Sequence, residues 1–309
     1  MASKKTSIGG QALIEGIMMR GPEKTAMAVR NTENSEIVLE TYPTKGQNRA
    51  AILKKPFIRG IFNMYDSLTF GYKCLMRSAE LAGLEEPEDK GKEPSRWDKL
   101  FEKIMMPVAV VLAVVLALGL FMYLPAQLYT WLAKAIPALE GKYLIRSAFE
   151  GVLRIAIFVG YVWATSLMKD IRRTYMYHGA EHKTIACYEA GLPLTVENIR
   201  PQVRFHPRCG TSFMILMLIV GIIVSMFIHV SNPFLRTFVK LLTFPVVVGI
   251  GYELIKLAGR TDNLFTRVIS KPGLWLQHIT TREPDDSMIE CAIAAMKAVI
   301  PEEEGADNW

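Results

Sequence analysis

Four stretches of this chain are apolar enough to constrain everything else it can fold into. They run over about Ile104–Leu124, Leu144–Met168, Ser212–Val230 and Leu241–Ala258. A helix needs roughly 20 consecutive apolar residues to cross a bilayer core. The first and third runs are clean: Val108–Leu118 and Phe213–Val220 carry no charge. The second contains Glu150 and Arg154, and the fourth is shorter and ends in Glu253 and Lys256. The reading is four transmembrane helices, with buried soluble helices or interfacial hairpins as the alternative for the weaker pair. Lys4 and Lys5 are followed by Ile8-Gly9-Gly10-Gln11 and no apolar core, so no cleavable signal is expected.

Lys and Arg placement sets the expected orientation. The segment before the first run is rich in both. The loop between runs two and three carries Lys169, Arg172, Arg173, Lys183, Arg200, Arg204 and Arg208. The other two loops offer only Lys134 and Lys142, then Arg236 and Lys240. Both termini and the central loop are therefore expected in the cytoplasm. All four cysteines (Cys74, Cys187, Cys209, Cys291) fall on that side and read as reduced thiols. The net charge of +6 implies contact with anionic membrane lipid. No recognition motif accompanies the charge, so nucleic acid is not an expected partner; a membrane-protein partner or an oligomer is left open.

The chain divides by pattern into seven parts. Residues 1–50 form a small cytoplasmic β unit, with strands over Thr25–Arg30 and Glu36–Tyr42 and glycines at turn or bulge positions. Residues 51–83 form an amphipathic helix from Pro56 to about Ala82, which lies along the membrane or covers the β unit. A charged, Pro-containing linker spans 84–97 and reads as mobile. The first transmembrane pair is 98–168, the central loop 169–211, the second pair 212–258, and the tail 259–309. Lys169–Ala190 reads as a continuation of the second span's helix, stopped by Gly191 and Pro193. In the tail, Asp285 and Asp286 read as N-caps of a short helix ending near Ile300.

The central loop holds the chemistry. His178-Gly179-Ala180-Glu181-His182 places two imidazoles on one helix face, one turn apart, with a carboxylate between them. This is the H-x-x-E-H order in which two histidines hold zinc and the glutamate acts on a bound water. The loop ends in His206-Pro207-Arg208-Cys209, so three of the chain's five histidines lie in one segment. A zinc site needs three or four ligands, and a catalytic one keeps a position open. His178 and His182 supply two; the third is His206 or Cys209. Glu189 shares the face but lies about 10 Å along the axis from His182, too far for one ligand shell. Glu181 is assigned the general-base role and Arg208 stabilisation of a developing oxyanion. The competing reading is a helix surface where His pairs with lipid phosphate or Glu and where Cys187 and Cys209 simply pack. His229 reads as interfacial and His278 as structural. Arg146, Glu150 and Arg154 share one face of the second span, as an internal salt bridge or as a polar path into the membrane.

Four motifs together, Gly9–Pro22, Tyr177–Thr184, His206–Phe213 and Trp275–Pro284, resemble the YqhQ-like family of bacterial membrane proteins nearly end to end. The resemblance implies a bacterial inner-membrane location and, through the label of predicted metal-dependent enzyme, a metal. The expected fold is thus mainly α and polytopic, with a small N-terminal β unit and amphipathic helices. The leading function is a zinc-dependent hydrolase at the cytoplasmic membrane surface. The alternative is a non-catalytic membrane scaffold or assembly factor with a structural His/Cys clasp. A small transporter using the span-two charges is a weaker third, because no internal repeat is visible.

Overall fold

The Gly-punctuated start of the chain folds as a meander, two strands more than the pattern alone predicts. A computed structural model describes residues 5–44, 50–84, 96–261, 263–303 and 305–308. Residues 85–95, most of the expected linker, lie outside the described residues. Strands β1 (Gly9–Leu13), β2 (Gly16–Arg20), β3 (Lys24–Arg30) and β4 (Ile37–Pro43) pair antiparallel in sequence order. The β1–β2 turn is only Ile14-Glu15, and Glu15 takes a φ of 51° to close it. Such two-residue hairpin turns need left-handed backbone because only then does their twist match the strands.

Both faces of the sheet are covered. Side chains alternate along a strand, so Ile17, Met19, Ala26 and Ala28 face one core and Met18, Met27 and Val29 the other. The second core is closed by α1 (Ile58–Leu81) through Cys74 and by Ala82 just beyond it. The amphipathic helix therefore covers the β unit, one of the two outcomes expected for it.

The helices that follow are α2 (Arg96–Leu118), a π-helical turn (Gly119–Tyr123), α3 (Leu124–Ala135), α4 (Tyr143–Thr165), α5 (Lys169–Glu189) and the four-residue α6 (Val196–Ile199). Then come α7 (Gly210–Ser225), α8 (Pro233–Arg260), α9 (Leu264–Thr280) and α10 (Asp286–Val299). The chain forms two compact units: Met1–Glu85 with Tyr161–Met217 and Val248–Trp309, and Glu86–Gly160 with Leu218–Val247.

In the first unit, the remaining core belongs to α5 and α10. Asp285 caps α10 by accepting from the Met288 amide at 3.0 Å. Met288, Ile289, Ala292, Ala295, Met296 and Val299 recur at helical spacing and are all buried with Ile17, Met19, Tyr177 and Ile185. Burial of a side chain as large as Met or Ile contributes about 1.5–3 kcal/mol. α5 does not continue α4, contrary to the sequence expectation. Ser166 to Met168 leave the helix, and Met168 is extended at φ −70°, ψ 136°. No Pro or Gly marks that break. Residues Tyr177–Ile185 of α5 are buried without interruption, although His, Glu, Lys and Thr dominate them. A helix buried on every side is normally apolar; the exception marks the site.

Three helical stretches are long and apolar enough to cross a membrane: Pro107–Ala135, Tyr143–Thr165 and Pro233–Arg260. The third apolar run instead gives α7, a shorter helix of 16 residues. It ends at Ser225, whose Oγ donates to Ile222 O at 2.8 Å; Met226 and Phe227 form a turn, and Asn232 caps the next helix, accepting from the Leu235 amide at 3.0 Å. The first stretch runs on past Leu124 through the π turn, and the last begins at Pro233, eight residues ahead of the apolar run.

That early start corrects the reading of Arg236 and Lys240 as loop charges. Both lie in α8, buried in the second unit. Glu150 of α4 accepts from Arg146 Nε at 2.8 Å, from Arg236 Nε at 3.0 Å and from Lys240 Nζ. In the first unit, Glu253, at the cytoplasm-facing end expected for the fourth run, pairs with Arg59. It accepts from Arg59 Nε at 2.8 Å and from the Phe57 amide at 3.2 Å.

Candidate metal centre

The site is built in the first unit from α5, the loop after α6 and the end of α9. His178 and His182, one helical turn apart, bring their ring centroids to 4.4 Å. Each uses Nδ1 on a backbone carbonyl: His178 on Thr280 O at 2.8 Å and His182 on Arg204 O at 2.6 Å. With those carbonyls accepting, Nδ1 carries the proton and Nε2 is the free lone-pair atom. This is the arrangement that orients metal-binding histidines.

Both Nε2 atoms turn toward Cys209. Its Sγ lies 3.1 Å from His178 Nε2, and one ligand atom from each of the three residues falls within 4.8 Å of the others. Zinc bonds of about 2.0–2.1 Å to N and 2.3 Å to S put tetrahedral ligands about 3.5 Å apart, so small shifts would seat an ion. His182 Nε2 is buried and has no hydrogen-bond partner. A buried lone pair left unmatched is costly; a cation among these three atoms would satisfy it. The residues thus fit the metal that the sequence implied.

Charge follows the same geometry. Burial alone would push the Cys209 thiol up, but the His178 and His182 rings outweigh it and hold it well below the ordinary thiol range. Burial disfavours a charged His178, yet the Cys209 sulfur beside it raises that ring to about 9. The two shifts have one cause: each group favours the charged form of the other across the 3.1 Å contact.

Glu181 is buried beside this trio. Burial raises its carboxyl, only partly offset by the two histidines. It takes a hydrogen bond from the backbone of Gly10 in β1, while its Oε2 has no partner. Gly10 permits that approach: a Cβ there would sit 3.0 Å from Glu181 Cδ and closer still to Met18 O. A cavity of about 300 Å³ opens over the site, lined by Gly10, Arg20, Glu181, His182, His206 and Cys209 among others.

Two of the six expected site residues stand outside the trio and its acid. His206 Nε2 lies 3.1 Å from Arg208 Nη2 and 3.9 Å from Glu189 Oε2, and burial lowers its pKa. Its ring centroid is 5.6 Å from that of His182. Arg208 pairs with Glu189, which also accepts from the Thr6 amide at 2.8 Å. Glu189 is thus a clasp for Arg208, and its carboxyl is held below the usual range by His206, Arg208 and Thr6 despite burial. Of the remaining histidines, His229 packs on Tyr143 and His278 is exposed beside Phe205.

Gln277 and Thr280 were not singled out from sequence, and Gly10, expected at a turn or bulge, lies within β1 paired with Met19. Gln277 grips the His206 backbone twice, accepting from its amide and donating to its carbonyl, both at 2.8 Å. It also donates to Ser212 Oγ at 2.9 Å. These contacts place the loop so that Cys209 reaches α5. Their only signal in the sequence was membership in the shared motifs.

Fold and site together define a helix-rich protein with a small meander sheet, carrying a His₂Cys cluster beside a buried acid. A family model described as a protein of unknown function (DUF1385) matches residues 55–302. Uncharacterized protein YqhQ of Bacillus subtilis (strain 168) is 34% identical over 296 residues, 94% of this chain and 92% of that protein. The chain belongs to this YqhQ-like family. No solved structure matches it.

Proposed function

We propose that the protein is a zinc-dependent hydrolase of the bacterial inner membrane, working at the cytoplasmic surface. The observation that carries this reading is the pair of imidazoles whose Nδ1 atoms are locked on Thr280 and Arg204 carbonyls while both Nε2 atoms face Cys209. His178, His182 and Cys209 would hold the ion. Three protein ligands leave a fourth position, the pattern of catalytic rather than structural zinc. A zinc ion in such a site supplies Lewis acidity and a water that loses its proton near neutral pH. Glu181, with one oxygen fixed by Gly10 and the other unmatched, is placed to accept that proton and return it to a leaving group. Its raised pKa suits a group that alternates between the two states. Arg208, neutralised by Glu189, serves this reading better as a positioning residue for the loop than as an oxyanion donor.

The membrane assignment rests on the three apolar stretches and on α2, whose Val110, Val111, Leu112, Val114, Val115 and Leu116 are all exposed. Such a face is tolerable in lipid and unfavourable in water. α7 is short, yet its last turn lies beside the start of α4: Ser147 Oγ donates to Ser225 O at 2.9 Å, and Arg146 Nη1 to Ser231 O at 2.8 Å. This supports two membrane hairpins; the cytoplasmic side for the termini and central loop is supported by the Lys and Arg bias of the sequence alone.

The test is cleavage of a fluorogenic peptide library and an ester panel by zinc-loaded protein, run beside Glu181→Gln. Activity in the wild type that is lost in a variant retaining its zinc supports the hydrolase. A zinc-loaded wild type no faster than the variant on every substrate favours the structural clasp.

A further inference from the structure

We infer that the turn between α3 and α4 holds the anionic phosphate headgroup of a membrane lipid. This rests on the membrane reading above and is independent of the metal. A cavity of about 200 Å³ lies at that turn, and Lys134, Lys142 and Arg146 line it against one acid, Glu140. Its wall is fixed on one side by the α7–α8 turn: Tyr143 Oη and Ser231 Oγ are 3.2 Å apart, and Arg146 reaches the Ser231 carbonyl.

Beneath the cavity the charge excess grows. Arg146, Arg236 and Lys240 all donate to Glu150, the only buried carboxylate among the described residues of this unit. Arg154 lies within electrostatic reach of Glu150 and Arg236, and its Nη2 is buried with no hydrogen-bond partner. One carboxylate thus faces four cations. The side expected to be poor in Lys and Arg has just four of them in its loops by sequence; Lys134 and Lys142 line this cavity, and Arg236 and Lys240 share Glu150 with Arg146, which also lines it. Positive charge in low-dielectric surroundings projects a strong potential into the adjoining cavity, and the ligand that answers it is an anion. Guanidinium and ammonium groups together recognise phosphate oxygens.

The flanks decide for lipid over free phosphate. Trp131, Leu144 and Ile145 beside the cavity are exposed, giving acyl chains an apolar bed and the headgroup an aromatic belt.

The full chain is reconstituted into nanodiscs of phosphatidylcholine, with or without phosphatidylglycerol, and retained lipid is counted by native mass spectrometry. Wild type should retain phosphatidylglycerol over phosphatidylcholine roughly tenfold or more. Lys134→Gln/Lys142→Gln, at two exposed positions, should bring the ratio close to parity, and millimolar inorganic phosphate should displace nothing. Equal retention of both lipids in wild type, a preference that survives the double variant, or displacement by inorganic phosphate overturns the inference. Failure of the protein to enter either disc would overturn the membrane reading and this inference with it; insertion without preference overturns this inference alone.

Discussion

Cys209 Sγ lies 3.1 Å from His178 Nε2, although 31 positions separate the two residues. The contact makes Cys209 chemically unlike the other cysteines. The neighbouring imidazoles hold its thiol well below the ordinary range despite burial, whereas burial pushes Cys74 and Cys291 up to about 11 and raises Cys187. At neutral pH a small alkylating reagent should label Cys209 at least about tenfold faster than the others. Its rate should be nearly flat between about pH 7 and 9, because the thiolate is already formed, and zinc should suppress it. Mass spectrometry of the labelled peptides checks this; Cys209 reacting no faster than Cys74 would refute it.

The half of the site that is local was legible. His178, Glu181 and His182 follow from helical spacing alone. The choice between Cys209 and His206 was not, because both sit on one Pro-bounded loop. In the structure Gln277, 71 positions away, clamps the His206 backbone, the His206 ring lies against Arg208 and Glu189, and Cys209 is the one beside the His178 imidazole. Likewise the sequence marks Arg236 and Lys240 as cations near a span end, but only the packing of α8 on α4 reveals Glu150 between them. The break before α5 has no Pro or Gly to announce it. β1 and β2 hide behind glycines that strand propensity disfavours; Gly10 is required by the close approach of Glu181 and Met18 O, and Gly16 by that of Ala28 O and Val29 in β3.

Gly179 lets the chain after α9 dock on α5. A Cβ at this position would collide with the Arg282 carbonyl oxygen, next to the bond from the Arg282 amide to Tyr175 O at 2.8 Å. Gly179→Ala should therefore cost about 1–3 kcal/mol of stability. It should also weaken metal binding, since Thr280, whose carbonyl orients His178, precedes this segment. Thermal unfolding and chelator competition measure the two effects; an unchanged melting temperature would contradict the docking argument.

Glu150 anchors three cations within the second unit. Glu150→Gln leaves Arg146, Arg236 and Lys240 buried without their acid, and breaking a buried pair in this way is strongly destabilising. Unfolding in detergent should report a loss of about 3 kcal/mol or more. A loss under about 1 kcal/mol would mean that water or another anion already serves these cations.

Tyr42 donates to Glu40 at 2.5 Å, and burial followed by that carboxylate pushes its phenol up to about 12. The neutral form is the favoured one in the fold. The stabilisation is therefore complete below the ordinary tyrosine value of about 10 and is lost as pH rises through about 12. In an ultraviolet phenolate titration, Tyr42→Phe should remove one tyrosine from the portion that ionises near pH 12. Removal of one that ionises near pH 10 would contradict the contact.

The most direct measurement is metal content of the detergent-purified full chain by mass spectrometry, paired with the absorption spectrum of the cobalt-substituted protein. About one zinc per chain is predicted, lost in His182→Ala, together with a thiolate-to-cobalt charge-transfer band that Cys209→Ala abolishes and His206→Ala leaves in place. A folded protein that takes up no metal, or a His206→Ala variant that loses metal as fully as Cys209→Ala, would contradict the His178, His182 and Cys209 centre.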